Sequence, residues 1–215
     1  QIPFVVNQGN HDSISLINKY FPVANFESEP WWGGSYEGIH NSYQVFNFYG
    51  EDFLFINVQS HDPWGTDNPG ARAWANGVIA AHPEHKVLLG THDTLETSTI
   101  KRDILTQHDN IVLSNAGHSC ARETRFLTFG PDGGVAQNFV VDYQCDKQEI
   151  MLLRYYVFRP LEDRVDYYTY SPIADIFEED TNSQGSFDLE MRDDIDTAVV
   201  NSPWSWIKAK LRFSR

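Results

Sequence analysis

The sequence predicts an α/β fold whose C-terminal half is rich in sheet. Two patterns predict it. Apolar strand-like runs and stretches of helical spacing intermix up to residue 113, and four strand-like runs follow one another after residue 124. A third observation sets the frame. The chain has 215 residues, of which 41% are hydrophobic and 21% charged, a globular composition long enough to bury a substantial core.

Residues 2–6 read as a strand cut into near its start, running into a polar loop over 8–13. No initiator Met, basic leader segment or apolar leader core opens the chain. The expectation is therefore a removed leader or a start inside a domain. Ile14, Ile17 and Phe21 have helical spacing, stopped by Pro22. The Pro-, Gly-, Trp- and Ser-rich stretch 22–42 predicts a long surface loop. Residues 43–48 and 53–58 flank a turn at 50–52 and predict a hairpin. Ala71, Trp74, Ala75, Val78 and Ile79 predict a helix within 67–82, ended by Pro83.

A short buried strand is expected at 86–89, a helix at 99–108 and a strand at 111–113. Runs at 125–129, 135–143, 150–158 and 165–170 predict successive strands, with turns at 131–134 and at Pro160. Residues 171–198 are acidic and weakly periodic, and within them the runs Glu178–Asp180 and Asp188–Asp196 predict a solvated face. The basic, aromatic tail (Trp204, Trp206, Ile207, Leu211, Phe213) predicts a terminal element docked on the body. One structural domain is the economical reading, since neither an internal repeat nor a linker-like break in composition occurs.

Charge excludes some functions. Sixteen Lys and Arg stand against 30 Asp and Glu, a formal charge of −14. Charge-driven binding to nucleic acid or to an anionic membrane is not expected. No window approaches the length of a membrane-spanning helix. Two cysteines are too few for a disulfide scaffold. The acidity fits an extracellular or periplasmic setting without excluding the cytoplasm. Oligomeric state is not encoded in any pattern found.

Three segments share one design, an apolar strand followed by a loop bearing Asn or His: VVNQGNHD, VLLGTHD and IVLSNAGHSC. In an open α/β sheet, ligands sit outside the carboxyl ends of strands. An imidazole nitrogen and an amide oxygen both suit zinc, iron or manganese, and a catalytic site needs about three protein ligands. Asn10, His92 and His118 would supply that number. A His at a strand end also serves simply to cap loop backbone, which is the reading for His40, His61, His82, His85 and His108. Long spacing alone leaves both readings open for the trio.

The motifs GNHD, THD and GHSC resemble the later motifs of the calcineurin-like metallophosphoesterases, whose ordered signature runs DxH, GD, GNH with Asp or Glu, a lone His, then GHxH. The resemblance extends through the helix AWANGVIAAHP, the VDYQC, MLLRYYVF and TYSP segments, and covers roughly residues 1–172. It implies a four-layer α/β/β/α sandwich, N-terminally incomplete here, with 173–215 an acidic extension and tail packed on the same domain. It implies metal-dependent hydrolysis of a phosphomonoester or phosphodiester by two transition metal ions (Zn, Mn or Fe). Only one of the two metal sites would be largely encoded here, by Asn10, His92 and His118. His11 would lie over the substrate and protonate the leaving oxygen or stabilise the transition state, and Asp12 would orient His11 and support its charged form.

The sequence departs from the pattern twice. No DxH and no GD occurs, so this chain would be the C-terminal part of a longer enzyme. The last His of GHxH is Cys120, which as a thiolate would ligate metal, or would pair with Cys145, or would remain an inert thiol. Trp31 and Trp32 would form a substrate-binding wall or pack on the sheet. Arg122 would face a phosphate or form an outward salt bridge. Arg154, inside an apolar strand, would pair with a carboxylate. Two other readings compete: a degenerate phosphoesterase domain acting as a binding module, and an aromatic-rich β-sandwich in which GNHD is chance, which would leave Asn10, His92 and His118 scattered.

Overall fold

Alternation of buried and exposed side chains builds two sheets, described in a computed structural model over residues 3–59, 67–93, 99–120, 122–144 and 150–191. The predicted first strand does not pair: residues 3–9 belong to no sheet. Helix α1 (Ile14–Tyr20) follows the polar loop. Within the predicted surface loop, Trp32–Ser35 forms strand β1, which pairs antiparallel with β2 (Ser42–Phe48). Strand β3 (Glu51–Asn57) completes an antiparallel meander. The β2–β3 turn sits at Tyr49 and Gly50, both with positive φ (54° and 83°). Two such residues match the twist of a hairpin.

Helix α2 (Pro69–Ala80) is capped by Asn68, whose side chain accepts Ala71 N–H at 3.0 Å, and opens with proline. Ala71, Ala75 and Ile79 recur every four residues along its buried stripe. Strand β4 (Lys86–Gly90) then joins β3 in parallel, and β5 (Ile111–Ala116) joins β4. Between them, residues 99–100 are α-helical and run into the wider helical turn of Lys101–Leu105, within the helix predicted over 99–108. Strands β6 (Arg122–Phe129) and β7 (Val135–Asp142) form a hairpin with β7 parallel to β5. The seven strands run β1-β2-β3-β4-β5-β7-β6.

The second sheet is built around β9 (Arg164–Ser171), which pairs antiparallel with β8 (Leu153–Arg159), β11 (Gly185–Asp188) and β10 (Ile176–Glu178). The acidic extension contributes two short strands, which its weak periodicity did not predict. The tail from residue 192 onwards lies outside the described residues.

The two faces of the large sheet have different coverings. Leu54, Ile56, Val87, Leu89 and Val140 pack with Ala71, Ala75 and Ile79 of α2 and with Ile104 and Leu105. On the other face, Leu113 and Phe139 pack against Val165, Tyr167 and Phe187 of the second sheet. Val112 joins Leu113 on that side because the β4–β5 register slips between Val87 and Leu88, which stand opposite Ile111 and Leu113. The parallel strands β3, β4, β5 and β7 all end at one sheet edge, and there the three motifs meet.

Candidate metal centre

Each motif residue leaves the end of an element that fixes its backbone. His92 stands two residues beyond β4, whose run continues through Thr91 N–H donating to Asn115 O at 3.0 Å. His118 stands two residues beyond β5, with φ of 65°. A left-handed backbone at a non-glycine residue costs about 1–3 kcal/mol and concentrates at functional sites. Asn10 sits in a tight loop. Asp12 N–H donates to Gly9 O at 3.0 Å, and Gly9 N–H donates back to Asp12 Oδ2 at 2.8 Å. A side chain at Gly9 would crowd His92: its Cβ would stand 3.2 Å from His92 Cε1.

The three side chains converge. His92 Nε2 lies 3.0 Å from Asn10 Oδ1 and 2.9 Å from His118 Nδ1. The His92 and His118 rings meet edge-on, with centroids 4.8 Å apart. Donor atoms bound about 2.1 Å from one ion at near-right angles lie roughly 3 Å apart. The donor set has the same logic. An amide oxygen only accepts, and a neutral imidazole nitrogen either donates or accepts. If His118 Nδ1 donates to His92 Nε2, the remaining contact sets an acceptor against an acceptor. If His92 Nε2 carries the proton, it must split it between both neighbours. A cation would serve all three lone pairs, so the residues fit a metal. The set is two imidazoles and one amide. Among the described residues, no group of three or more His, Cys, Asp or Glu side chains is placed to hold a metal ion.

Burial, reinforced by the neighbouring His118, holds the His92 imidazole below its usual range, against the opposing pull of Asp93, Asp142 and Asp12. A metal ligand must be the neutral imidazole, so this environment favours the ligating form. Asp142, at the end of β7, is a contributor that sequence reading mentioned only within a resembling segment. Its Oδ1 accepts Gln144 N–H at 2.9 Å.

The remaining predicted site residues fall differently. His11 and Asp12 are exposed at the tip of the Asn10 loop. Asp12 hydrogen-bonds the loop backbone, and among the described residues it makes no hydrogen bond to the His11 ring. Cys120 is disulfide-bonded, which corrects its reading as a metal ligand: a sulfur held in a disulfide is no thiolate. Cys145 and His61 lie outside the described residues, as does the side chain of Arg122. Trp31 does not form a substrate wall. It is 5% exposed and packs with Phe26 and Ile39, Phe4 standing 6.2 Å from its ring. Trp32 is half-buried and stacks on Phe26 at 6.0 Å. Arg154 does pair with a carboxylate, that of Glu123.

Asn57, at the end of β3, carried no motif. Its Nδ2 donates to Val6 O at 2.9 Å and to His40 O at 3.0 Å. The available signal was its position: a fully buried amide where an apolar strand reaches the edge used by the other three.

No protein-family model matches the chain. Over 208 residues it is 29% identical to a Bacillus subtilis (strain 168) protein named "Uncharacterized protein YvnB", an alignment covering 87% of this chain and 16% of that protein.

Proposed function

We propose that this chain carries part of the active site of a metal-dependent phosphoesterase. One observation carries the reading: His92 Nε2 lies within hydrogen-bond distance of both Asn10 Oδ1 and His118 Nδ1, the three residues being drawn from THD, GNHD and GHSC at a carboxyl strand edge. The four-layer α/β/β/α sandwich is part of the same proposal, supported by two packed sheets with α2 on the outer face of the larger one.

In this reading Asn10, His92 and His118 hold one of two transition metal ions, zinc, manganese or iron. Bound metals supply Lewis-acid stabilisation of the phosphoryl oxygens and an activated water. The chain's own residues do the rest. The tight Gly9–Asp12 turn sets the Asn10 amide against His92 and leaves His11, the next residue, exposed. From there His11 donates a proton to the leaving oxygen of the phosphate ester. Asp12 acts by holding the turn. Ligands of the other metal would come from outside this sequence, which contains neither DxH nor GD.

The test is metal-dependent hydrolysis of p-nitrophenyl phosphate and bis(p-nitrophenyl) phosphate by the protein that contains this chain. His92→Ala is expected to abolish it. Unchanged activity in that variant sinks the reading.

A second reading has its own support. Cys120, standing where the resembling motif has its last His, is disulfide-bonded and not a ligand, which favours a degenerate domain that acts in binding. Two tightly held metal ions per chain in the purified protein would exclude it.

A further inference from the structure

Residues 3–8 lead directly into the Gly9–Asp12 turn, yet they join no sheet. A segment that carries a ligand must be held by something. Among the described residues, one hydrogen bond ties this segment to the sheet: Asn57 Nδ2 to Val6 O, 2.9 Å. Asn57 has no solvent exposure, and its second amide hydrogen goes to His40 O at 3.0 Å. Both donors are therefore spent on holding two incoming segments against the end of β3. Asn57 stands opposite Gly90 in the parallel β3–β4 register, and Gly90 is two residues before His92. Gly90 leaves room for the amide: a Cβ there would stand 3.0 Å from Asn57 Oδ1.

We infer that Asn57 is a positioning residue: its amide clamps Val6 to the end of β3 and so sets Asn10 at ligating distance from His92. The inference rests on the metal-site reading for its consequence, but not for its geometry. A backbone carbonyl anchored four residues before Asn10, and a strand partner two residues before His92, place the two ligands in one frame. Both hydrogen bonds of the clamp go to backbone carbonyls, Val6 O and His40 O, and neither goes to a ligand. It is a support of the kind whose loss costs about 10–100-fold in metal affinity at sites of known function.

Asn57→Leu keeps the number and branching of the side-chain heavy atoms and removes both donors. It is expected to weaken Co²⁺ binding by about 10–100-fold and to change the Co²⁺ absorption spectrum towards that of Asn10→Ala. Because Asn57 acts through Asn10, the loss is expected to disappear in the Asn10→Ala background, a full non-additivity that a merely structural role would not produce. Additive losses overturn the inference. A crystal structure of metal-free Asn57→Leu provides the readout independent of metal. Separation of Asn10 Oδ1 from His92 Nε2 supports the clamp, and an unchanged contact near 3.0 Å overturns it. If the wild type binds no Co²⁺, the metal reading fails while the crystallographic test still decides the clamp. If Asn57→Leu does not fold, Gly90→Ala takes its place, since it displaces the Asn57 side chain without removing any polar group. An unmoved Asn10 loop despite a displaced Asn57 amide overturns the inference.

Discussion

His118 reaches His92, Nδ1 to Nε2 at 2.9 Å, from a backbone held in the left-handed region at φ 65°. The strained conformation and the close approach of two imidazoles occur at the same residue. Glycine would adopt this backbone without cost, so His118→Gly is expected to leave thermal stability unchanged or slightly raised. The same variant removes one of three metal donors. Isothermal titration with Zn²⁺ is expected to show a loss of at least about tenfold, on the scale of disturbed metal-site ligation. Equal affinity in the variant would show that the left-handed His118 serves the loop and not a metal.

Acid should weaken the metal-free protein through its partly buried histidines. Burial lowers the folded-state pKa of His40, His92 and His108 from the ordinary 6.5, opposed at His40 by Glu37 and at His108 by Asp109. A histidine with a lowered folded pKa binds fewer protons in the folded state than in the unfolded one. Stability then rises with pH across the interval between the two values. The full contribution is present above 6.5 and is lost as pH falls from 6.5 through the folded values. Urea midpoints measured from pH 8 to 5 should therefore drop below pH 6.5. His118→Ala removes one of the two influences that lower His92, so the His92 ring resonances of the metal-free protein should titrate at a higher pH. A midpoint flat from pH 8 to 5 would contradict the burial of these rings.

Much of the fold was legible because periodicity reports burial directly. Ala71, Ala75 and Ile79 announced α2, and the alternation around Tyr49 and Gly50 announced the β2–β3 hairpin. The apolar run predicted as a strand over 2–6 misled, since such a segment can pack on apolar side chains, as Val6 does on the Trp31 cluster, without pairing in a sheet. Strands β10 and β11 were missed because each is short and only Phe187 of β11 is buried, which leaves no alternation to read. Of the candidate site, Asn10, His92 and His118 were legible as types at strand ends, whereas Asn57 was not. Its work is done by hydrogen bonds to backbone carbonyls, and any backbone can accept them.

Trp31 belongs to a core and should behave as one. It is 5% exposed among Phe26, Ile39 and Val6. Trp31→Ala is expected to destabilise the protein by about 3–5 kcal/mol, the range for removing a buried large aromatic. Trp31→Phe keeps most of the packing and should cost less, the more so because the indole Nε1 is buried without a hydrogen-bond partner. Chemical denaturation measures both. If Trp31→Ala left the midpoint unchanged and instead raised KM for a phosphate ester, the residue would be a binding wall after all.

The two sheets are tied by a buried ionic network. The carboxylate of Glu123, on β6, meets the Arg154 guanidinium of β8, and also accepts from Tyr143 OH at 2.9 Å, Thr169 Oγ1 at 2.9 Å and Ser183 Oγ at 2.7 Å. Arg154 also donates to Thr169 Oγ1 at 3.0 Å and to Asn182 O at 2.8 Å, and its guanidinium lies 5.2 Å from the Tyr167 ring centre. The side chains of Arg154 and Glu123 are only 5% and 17% exposed. Removing one partner of such a pair strands the other charge, at about 3–5 kcal/mol. Glu123→Ala should therefore cost about that much, whereas replacing both charges, as in Glu123→Met with Arg154→Met, should recover a large part of the loss. A double-mutant cycle read by urea denaturation separates the outcomes. A strong favourable coupling means that the pair binds the sheets together, and its absence means that the apolar packing of Leu113, Phe139, Val165, Tyr167 and Phe187 carries the contact.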